Sequence, residues 1–159
     1  MVTAFSRPAF QLAAALVKDR AVAEEIVQEA FMRALSNRRT PRELPEFRRW
    51  FYRIVVNLTR EHHRRSARAR RLAVMPQPLP DPEDEAERRM GDLEMAAALQ
   101  LLTDREREAV YLRFFQDLAF DDVAAAMGIN ESTARVLVHR GLQRLRDRLA
   151  KTSQKRETS

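Results

Sequence analysis

The stretch that decides the fold is AFDDVAAAMGINESTARVLVHRGLQR, residues Ala119–Arg144. Its first part predicts a short helix with an apolar stripe of Val123, Ala124 and Met127. Gly128 predicts a sharp turn, because a residue without Cβ reaches positive φ at little cost. Ile129 is then an apolar plug between two helices, and Asn130 is a suitable N-cap for the second one.

The second helix of this stretch has two contrasting faces. Its apolar side chains recur at helical spacing at Ala134, Val138, Leu142, Leu145 and Leu149. Its other face carries Ser132, Thr133, Arg135, Val136, His139 and Arg140. The pattern is typical of a helix-turn-helix motif whose second helix enters the DNA major groove. An ordinary corner between two core helices is the alternative that this stretch alone leaves open.

Composition indicates a small all-helical protein of one or two domains. Of its 159 residues, 45% are hydrophobic, which is enough for a core, and the 3 glycines and 33% charged residues favour helices over sheet. No run of about 18 apolar residues could cross a membrane, and the N-terminus lacks the features of a signal peptide. We therefore expect a cytoplasmic protein without membrane insertion. The absence of cysteine excludes disulfides and thiolate metal sites.

The net charge of +6 is unevenly distributed along the chain. Residues 1–72 carry a net charge of +9, residues 73–95 carry −5 and residues 96–159 carry +2. Prolines at positions 76, 78, 80 and 82 keep the acidic segment extended. These observations predict two modules joined by a linker. The first module is basic enough to face a polyanion.

The basic module begins with two predicted helices, Ala4–Val17 and Ala21–Leu35. The apolar face of the second helix is Val22, Ile26, Ala30, Phe31 and Ala34. Its other face carries Glu24, Glu25, Gln28, Glu29 and Arg33. A solvated surface and an acidic surface that binds a partner are both consistent with this amphipathic pattern.

A long helix is predicted at Phe47–Leu72, after a proline-containing loop at Ser36–Phe47. Its inward side is expected to be Phe47, Trp50, Phe51, Ile54, Val55 and Leu58. Between Arg33 and Arg71 the chain has 13 arginines, 3 glutamates and no lysine. Arginine binds phosphate bidentately, and interleaved aromatic rings can stack on single-stranded bases. The alternative is that these rings belong to the core of a helix bundle.

The second module is predicted to be helical from its start. One helix is expected from Glu83 to Leu102, and Thr103 with Glu106 forms the capping-box signature that starts the next. The polar tail at residues 151–159 is expected to fray.

The sequence contains no constellation that indicates an enzyme. His62 and His63 are adjacent and therefore point to different sides of a helix, with no carboxylate or cysteine at ligand spacing. No set of nucleophile and base, phosphate-binding loop or pair of carboxylates is evident. We therefore predict no catalytic residue, no metal site and no cofactor.

Two separated parts of the chain together resemble the σ70 superfamily of bacterial RNA polymerase sigma factors, specifically the compact extracytoplasmic-function (ECF) group. The stretch AEEIVQEAFMRAL is similar to regions 2.1–2.2 of that family, and FRRWFYRIVVNLTREHHRR is similar to regions 2.3–2.4. The stretch LTDREREAVYLRFFQDLAFDDVAAAMGINESTARVLVHRGLQRLR is similar to region 4. The resemblance covers Val17–Leu72 and Leu101–Leu149.

The resemblance implies an all-α protein with two small helical domains. Region 2, a helix bundle, would occupy residues 1–72, the Pro-rich acidic linker residues 73–95, region 4 residues 96–150 and a polar tail residues 151–159. Such a protein binds core RNA polymerase at the β′ clamp and β flap and directs it to promoters, while the polymerase performs the catalysis. Its other implied partners are promoter DNA, both as duplex and as melted non-template strand, and an anti-sigma factor; no obligate homo-oligomer is implied.

The resemblance also assigns residues by position. The β′ clamp would be contacted by Glu24, Glu25, Gln28 and Glu29. The −10 element would be held by Arg39, Arg48, Arg49, Arg53, Asn57, Arg60 and Arg64, with a base flipped into a pocket of the loop Arg39–Phe47. The −35 element would be read by Glu131, Ser132, Thr133, Arg135, His139 and Arg140.

Three features depart from the family pattern. The N-terminus is shorter than in relatives, and Ala119 replaces the usual Ser or Thr cap, a loss of about 1 kcal/mol unless Asp121 takes over. Val136 and Leu137 stand where Ser and Arg are frequent, and they could contact thymine methyl groups. Two other classes stay open: a stand-alone helix-turn-helix regulator that acts without polymerase, and a helical adaptor whose basic surface binds protein or RNA.

Overall fold

Every regular element in the described part of the chain is a helix, as the sequence predicts. The computed structural model describes residues 2–72 and 97–158. Residues 2–72 belong to one compact unit, and residues 97–124 and 129–158 belong to a second. The predicted linker, and most of the helix expected from Glu83 to Leu102, lie outside the described residues. None of the described helices combines the length and apolarity that a membrane span requires.

The first unit is built from three helices, α1 (Val2–Val17), α2 (Arg20–Ser36) and α3 (Leu44–Leu72). The chain turns between α1 and α2 at Lys18, whose φ of 58° is in the left-handed region. Asp19 then caps α2, because its carboxylate accepts the Val22 N–H at 3.2 Å.

Helix α3 begins at Leu44, earlier than the predicted start at Phe47. The Phe47 N–H donates to the Glu43 carbonyl at 2.8 Å, which makes Glu43 the residue before the first turn. Pro45 lies within that turn, where its missing N–H has no helical partner to lose. Pro45 therefore belongs to the start of α3 and not to the preceding loop.

An aromatic cluster joins the three helices of the first unit. The ring of Phe5 in α1 is edge-on to Phe47 in α3, with centroids 5.3 Å apart. Phe51 lies 4.7 Å from Phe31 of α2 and stacks at 5.5 Å on Phe47. Each such pair adds about 0.5–1.5 kcal/mol beyond the area it buries. The alternative that these rings form a core is therefore correct for Phe47 and Phe51.

The buried side of α3 differs in part from the predicted one. Tyr52 is buried, as the alternative of an aromatic core has it, and Thr59 is buried although the sequence did not assign it to the core. Trp50 and Ile54 are only half-buried. The Thr59 hydroxyl meets its hydrogen-bonding requirement within the helix by donating to the Val56 carbonyl at 2.7 Å. On α2, Ala23 and Val27 are buried, while the predicted core residues Val22 and Phe31 are half-buried.

Residues 97–158 contain α4 (Asp104–Val110), which continues as a π-helical turn at Tyr111–Phe115, then α5 (Phe120–Met127) and α6 (Glu131–Glu157). The predicted capping box of α4 is confirmed. The Thr103 hydroxyl accepts the Glu106 N–H at 3.2 Å, and the Glu106 carboxylate accepts the Thr103 N–H at 3.1 Å. The preceding helical turn at residues 97–99 ends before Leu102, because the Leu102 N–H bonds to the Leu99 carbonyl in a tighter turn.

The helix-turn-helix prediction is confirmed in its geometry. Gly128 has a φ of 68°. The Ile129 N–H donates to the Ala124 carbonyl at 3.0 Å and the Gly128 N–H to the Ala125 carbonyl at 3.3 Å, the pattern of a Schellman cap. The Asn130 side chain accepts the Thr133 N–H at 2.8 Å and so caps α6. The predicted apolar stripe of α5, Val123, Ala124 and Met127, is buried.

Helix α6 extends further than predicted, and the prediction that Leu149 belongs to the core is wrong. Ala134 and Val138 are buried and Leu142 and Leu145 are half-buried, but Leu149 is 64% exposed. The helix continues through the tail to Glu157, where the sequence predicted fraying. Residues 146–158 are all exposed, so helix-forming residues without proline or glycine, rather than packing, account for this extension.

Candidate nucleic-acid and partner interfaces

A stripe of polar side chains follows one face of α3. Residues on an α-helix are about 100° apart, so spacings of 3 and 4 bring side chains to one side. The stripe consists of Arg49, Arg53, Asn57, Arg60 and Arg64. Arg53, Asn57 and Arg64 are exposed, and Arg49 and Arg60 are half-exposed. The buried Phe51, Val55 and Leu58 lie on the opposite face. The exposed Arg53 and Arg64 can therefore present cationic donors to phosphates along the α3 stripe.

Arg48 does not belong to the α3 stripe. By helical position it lies about 140° around α3 from Arg53, on the side of Tyr52. Burial raises the pKa of Tyr52, and a hydrogen bond and the charge of Arg48 oppose this rise. The structure therefore separates Arg48 from the other residues predicted to hold the −10 element and gives it a partner within the bundle.

The loop between α2 and α3 is held in place by side-chain hydrogen bonds. The Thr40 hydroxyl lies 2.7 Å from the carbonyl oxygens of both Ala34 and Asn37, and it donates its single proton to one or the other. The Arg39 N–H donates to the Asn37 side chain at 2.9 Å. Arg39 itself is exposed. The predicted DNA contact at Arg39 thus lies on a loop whose backbone is already ordered.

A cavity of about 410 Å³ opens beside this loop. Apolar atoms dominate its walls, which fits the flat faces of an aromatic ring system better than a charged group. Its lining is Phe31, Ala34, Leu35, Thr40, Pro41, Arg42 and Phe47. The pocket expected at the loop Arg39–Phe47 includes Phe47, whereas helical periodicity assigned Phe31 and Ala34 only to the core and missed their role as walls. The sequence feature that could have indicated this cavity is the pair Thr40-Pro41 in the loop between α2 and α3.

The predicted acidic face of α2 is exposed. Glu24, Glu25 and Gln28 are exposed and Glu29 is half-exposed, opposite the buried Ala23, Ile26, Val27, Ala30 and Ala34. Glu29 pairs with Arg33 at 2.7 Å, and Glu24 pairs more loosely with Arg20 at 3.5 Å. Exposed pairs at this spacing contribute about 0.3–0.5 kcal/mol, so a partner can replace them at little cost.

The exposed face of α6 contains every residue predicted to read the −35 element. Glu131, Ser132, Thr133, Arg135, His139 and Arg140 are all exposed. The Ser132 hydroxyl donates to the Asn130 side chain at 2.9 Å, and Arg135 pairs with Glu131 at 2.7 Å. Ser132, Val136 and His139 form the middle of this face by helical spacing. Val136 is 45% exposed, which leaves its methyl groups accessible to an apolar partner.

The two adjacent histidines of α3 have structural contacts. The Nε2 of His63 lies 2.9 Å from the Leu16 carbonyl, and because a carbonyl only accepts, this nitrogen carries the proton. Burial, reinforced by the charge of His63, lowers the pKa of His62, whose Nε2 lies 3.3 Å from the Ser66 hydroxyl. Within residues 2–72 and 97–158, no three carboxylates or imidazoles are close enough to hold a metal ion.

The comparisons with known proteins cover both units. Residues 1–69 match the family model of Sigma-70 region 2, and residues 98–147 match that of Sigma-70, region 4. The sequence is 34% identical over 153 residues to the ECF RNA polymerase sigma factor SigE of Mycolicibacterium smegmatis, covering 91% of this chain and 58% of that protein. It is 32% identical over 142 residues to the RNA polymerase sigma factor CarQ of Myxococcus xanthus, covering 86% and 79% of the two chains.

A solved structure shows the same fold. The Bartonella quintana sigma factor RpoE, crystallised in complex with the anti-sigma factor NepR, aligns with a TM-score of 0.73 at 22% identity over 89% of each chain. The matching order of regions 2 and 4, the predicted all-α fold and the relatives agree. They favour a sigma factor over a stand-alone helix-turn-helix regulator, because the first unit is matched as well as the second. The chain belongs to the σ70 family of RNA polymerase sigma factors and is similar to members of its ECF group.

Proposed function

We propose that this chain binds core RNA polymerase and directs it to promoters, with region 2 at residues 1–72, a linker at 73–95 and region 4 at 96–150. The observation that carries the proposal is the α3 stripe, which places exposed arginines in a line on the unit matched to region 2. RNA synthesis belongs to the polymerase, so the chain itself is not an enzyme, and it acts in the cytoplasm where the polymerase is.

In this proposal the first unit holds the −10 element as a single strand. Guanidinium groups of the α3 stripe and Arg39 bind phosphates of the non-template strand. The cavity beside the α2–α3 loop accepts a base that has been turned out of the stack, because its apolar walls can cover both faces of the base. Arg48 contributes through the packing of Tyr52 rather than through DNA.

The second unit reads the −35 element as duplex. The exposed face of α6 enters the major groove, where Ser132, Thr133 and Arg135 reach base edges and Arg140 binds phosphate. The β′ clamp docks on the α2 face at Glu24, Glu25, Gln28 and Glu29, and the β flap contacts region 4. An anti-sigma factor, as found with the relative from Bartonella quintana, would occlude these polymerase-binding surfaces.

Run-off transcription with core polymerase on a promoter library tests the proposal. The wild-type chain should direct transcription from a subset of promoters that share −10 and −35 sequences. The double variant Arg53→Ala and Arg64→Ala should lose promoter opening while it retains binding to core polymerase. Arg70→Ala is the matched control, because Arg70 is an exposed arginine of the same helix on another face. Failure of the wild-type chain to bind core polymerase would refute the proposal.

The clamp contact is tested separately. Glu25→Ala together with Gln28→Ala should weaken binding of core polymerase without changing the unfolding temperature, because both side chains are exposed. Co-purification of the chain from its own cells should recover an anti-sigma factor that competes with core polymerase. A partner that binds without competing would contradict the occlusion part of this proposal.

A further inference from the structure

Phe120 opens helix α5 and lies against an arginine of the recognition helix α6. The Cζ of Arg135 is 4.4 Å from the centroid of the Phe120 ring, and that of Arg113 is 5.2 Å from it. Both distances are within the roughly 6 Å at which a cation is attracted to the face of an aromatic ring. The half-buried ring of Phe120 is thus a fixed wall for the Arg135 guanidinium.

A second contact restrains the same guanidinium at its edge. Nη2 of Arg135 donates to Oε1 of Glu131 at 2.7 Å. This carboxylate contact is exposed, with 58% and 49% of the two side chains accessible, so it exchanges readily for another acceptor. The ring contact needs no hydrogen bond from the guanidinium, so the N–H groups can exchange Glu131 for another acceptor while Cζ stays near the ring. Guanine O6 and N7 are the acceptor pair in the major groove that fits this edge.

The ring contact restrains the Arg135 side chain before it meets DNA. A free arginine side chain has many rotamers, and fixing them opposes binding. A side chain that is already held over a ring loses less freedom when it meets its base, which is the advantage of preorganisation. Leucine at position 120 would fill similar space but has no ring to attract a cation.

We propose that Phe120 is a positioning residue for promoter recognition: its ring holds Arg135 so that the guanidinium edge is presented to one guanine of the −35 element. The inference rests on the proposed function, because it requires α6 to enter the major groove. Nothing in the periodicity of the sequence marks Phe120 for this role, since the residue precedes the apolar stripe of α5.

Run-off transcription by the full chain with core polymerase, on templates that vary each −35 position, is the test. Arg135→Ala should lower the preference for guanine at one position by about tenfold or more. Phe120→Leu should lower the same preference about two- to fivefold and leave the other positions unchanged. Phe120→Tyr should restore it. Phe114→Leu is the matched control and should not alter the profile, because Phe114 lies beside Arg113 and has no contact with Arg135 among the described residues.

A DNA-independent measurement accompanies the transcription assay. In the NMR spectrum of the full chain, the Arg135 Nε–H should be shifted upfield by the ring current, as it should be in Phe120→Tyr but not in Phe120→Leu. A uniform loss of activity on all templates in Phe120→Leu would overturn the inference, since it would indicate a phosphate contact or a folding defect. A profile unchanged by Arg135→Ala would instead refute the proposed −35 contact. A selective effect of Arg135→Ala with none from Phe120→Leu would refute the role of Phe120 alone.

Discussion

Gly141 in α6 is buried against α4 and has no room for a side chain. A Cβ built on it would lie 2.7 Å from Cγ2 of Val110, a distance that side-chain carbon atoms do not reach without a shift. Val110 is itself buried and β-branched, so it cannot turn away cheaply. The close approach of the two helices therefore depends on glycine at this position.

Gly141→Ala should destabilise the protein although alanine is the better helix former. Overpacking costs about 1–3 kcal/mol and the propensity gain returns about 1 kcal/mol, so we expect a net loss of about 1 kcal/mol. Urea unfolding followed by circular dichroism measures the change. The control is Gln143→Ala at an exposed position of the same helix. An increase in stability for Gly141→Ala would contradict the close approach, and Val110→Ala should partly compensate Gly141→Ala if the contact is the cause.

Arg107 is a buried arginine that binds backbone rather than nucleic acid. Its Nε donates to the Leu99 carbonyl at 2.8 Å and its Nη2 to the Leu102 carbonyl at 2.9 Å, while Nη1 pairs with Asp104 at 3.1 Å. Only 3% of the residue is exposed. The guanidinium therefore gives the Leu102 carbonyl a donor and adds a second donor to the Leu99 carbonyl, which also accepts the Leu102 N–H.

Arg107→Met should lower the free energy of unfolding by about 2–4 kcal/mol. The substitution keeps the length of the side chain but removes the hydrogen bonds from the guanidinium to the Leu99 and Leu102 carbonyls. A hydrogen bond that involves a charged group contributes about 1.5–3 kcal/mol before relaxation. Arg105→Met in the same helix is the matched control, because Arg105 is exposed. Thermal and urea unfolding compare the two variants. Equal effects would mean that Arg107 acts as an ordinary surface charge.

At the scale of the element, the correctly predicted features are those in which the interacting residues are close together in sequence. The capping box at Thr103 and Glu106, the turn at Gly128 and the cap at Asn130 each depend on backbone groups within a few residues. Gly141 and Arg107 could not be recognised, because their roles depend on an approach between helices and on a turn whose end the sequence misplaced.

The capping box also shows how one side chain serves two elements. Glu106 accepts the Thr103 N–H, and its Oε2 lies 3.0 Å from Nε of Arg144 in α6. The residue before α5, Ala119, has no side-chain oxygen and cannot cap that helix. The Asp121 carboxylate accepts the Asp122 N–H at 2.9 Å. At its C-terminal end, helix α5 is closed by the Schellman cap at Gly128.

Thr103→Ala should cost about 1 kcal/mol, because the Glu106 N–H loses its acceptor at the start of α4. Thr103→Ser keeps the hydroxyl and should remain within a few tenths of a kcal/mol of the wild type. Differential scanning calorimetry resolves this difference as a shift of a few degrees. If serine and alanine were equally destabilising, the lost methyl group rather than the cap would be responsible.

The site was predictable from sequence to the extent that it depends on helical spacing. The α3 stripe and the exposed face of α6 follow from which residues share a side of a helix, and the arginine density marked the first of them. Arg48 was assigned to the −10 element by the family pattern alone, and that assignment stays a prediction; the structure places it outside the α3 stripe, beside the buried Tyr52. The resemblance placed a pocket at the loop Arg39–Phe47, but the walls that α2 contributes to the cavity could not be predicted, because they depend on how that helix packs against the loop.

At the scale of the whole molecule, the cationic groups of the two units should make independent contributions to the salt dependence of promoter binding. Each phosphate contact releases condensed counterions, so the logarithm of the binding constant falls linearly with the logarithm of salt concentration. The slope is about 0.9 per contact on duplex and about 0.7 on a single strand. Arg64 in the first unit and Arg140 in the second are exposed, and they belong to different units. Contributions from such separated sites are expected to add.

We therefore expect the complex with core polymerase to show additive salt slopes. Arg64→Ala and Arg140→Ala should each reduce the slope by about 0.7–0.9, and the double variant by about their sum. Val136→Ala, on the exposed face of α6, should lower affinity for some sequences while leaving the slope unchanged, because no phosphate contact is lost. Filter binding between 50 and 200 mM salt, a range over which about 6–10 phosphate contacts change affinity by orders of magnitude, provides the measurement. A double variant whose slope equals that of either single variant would mean that the two units do not engage the promoter together.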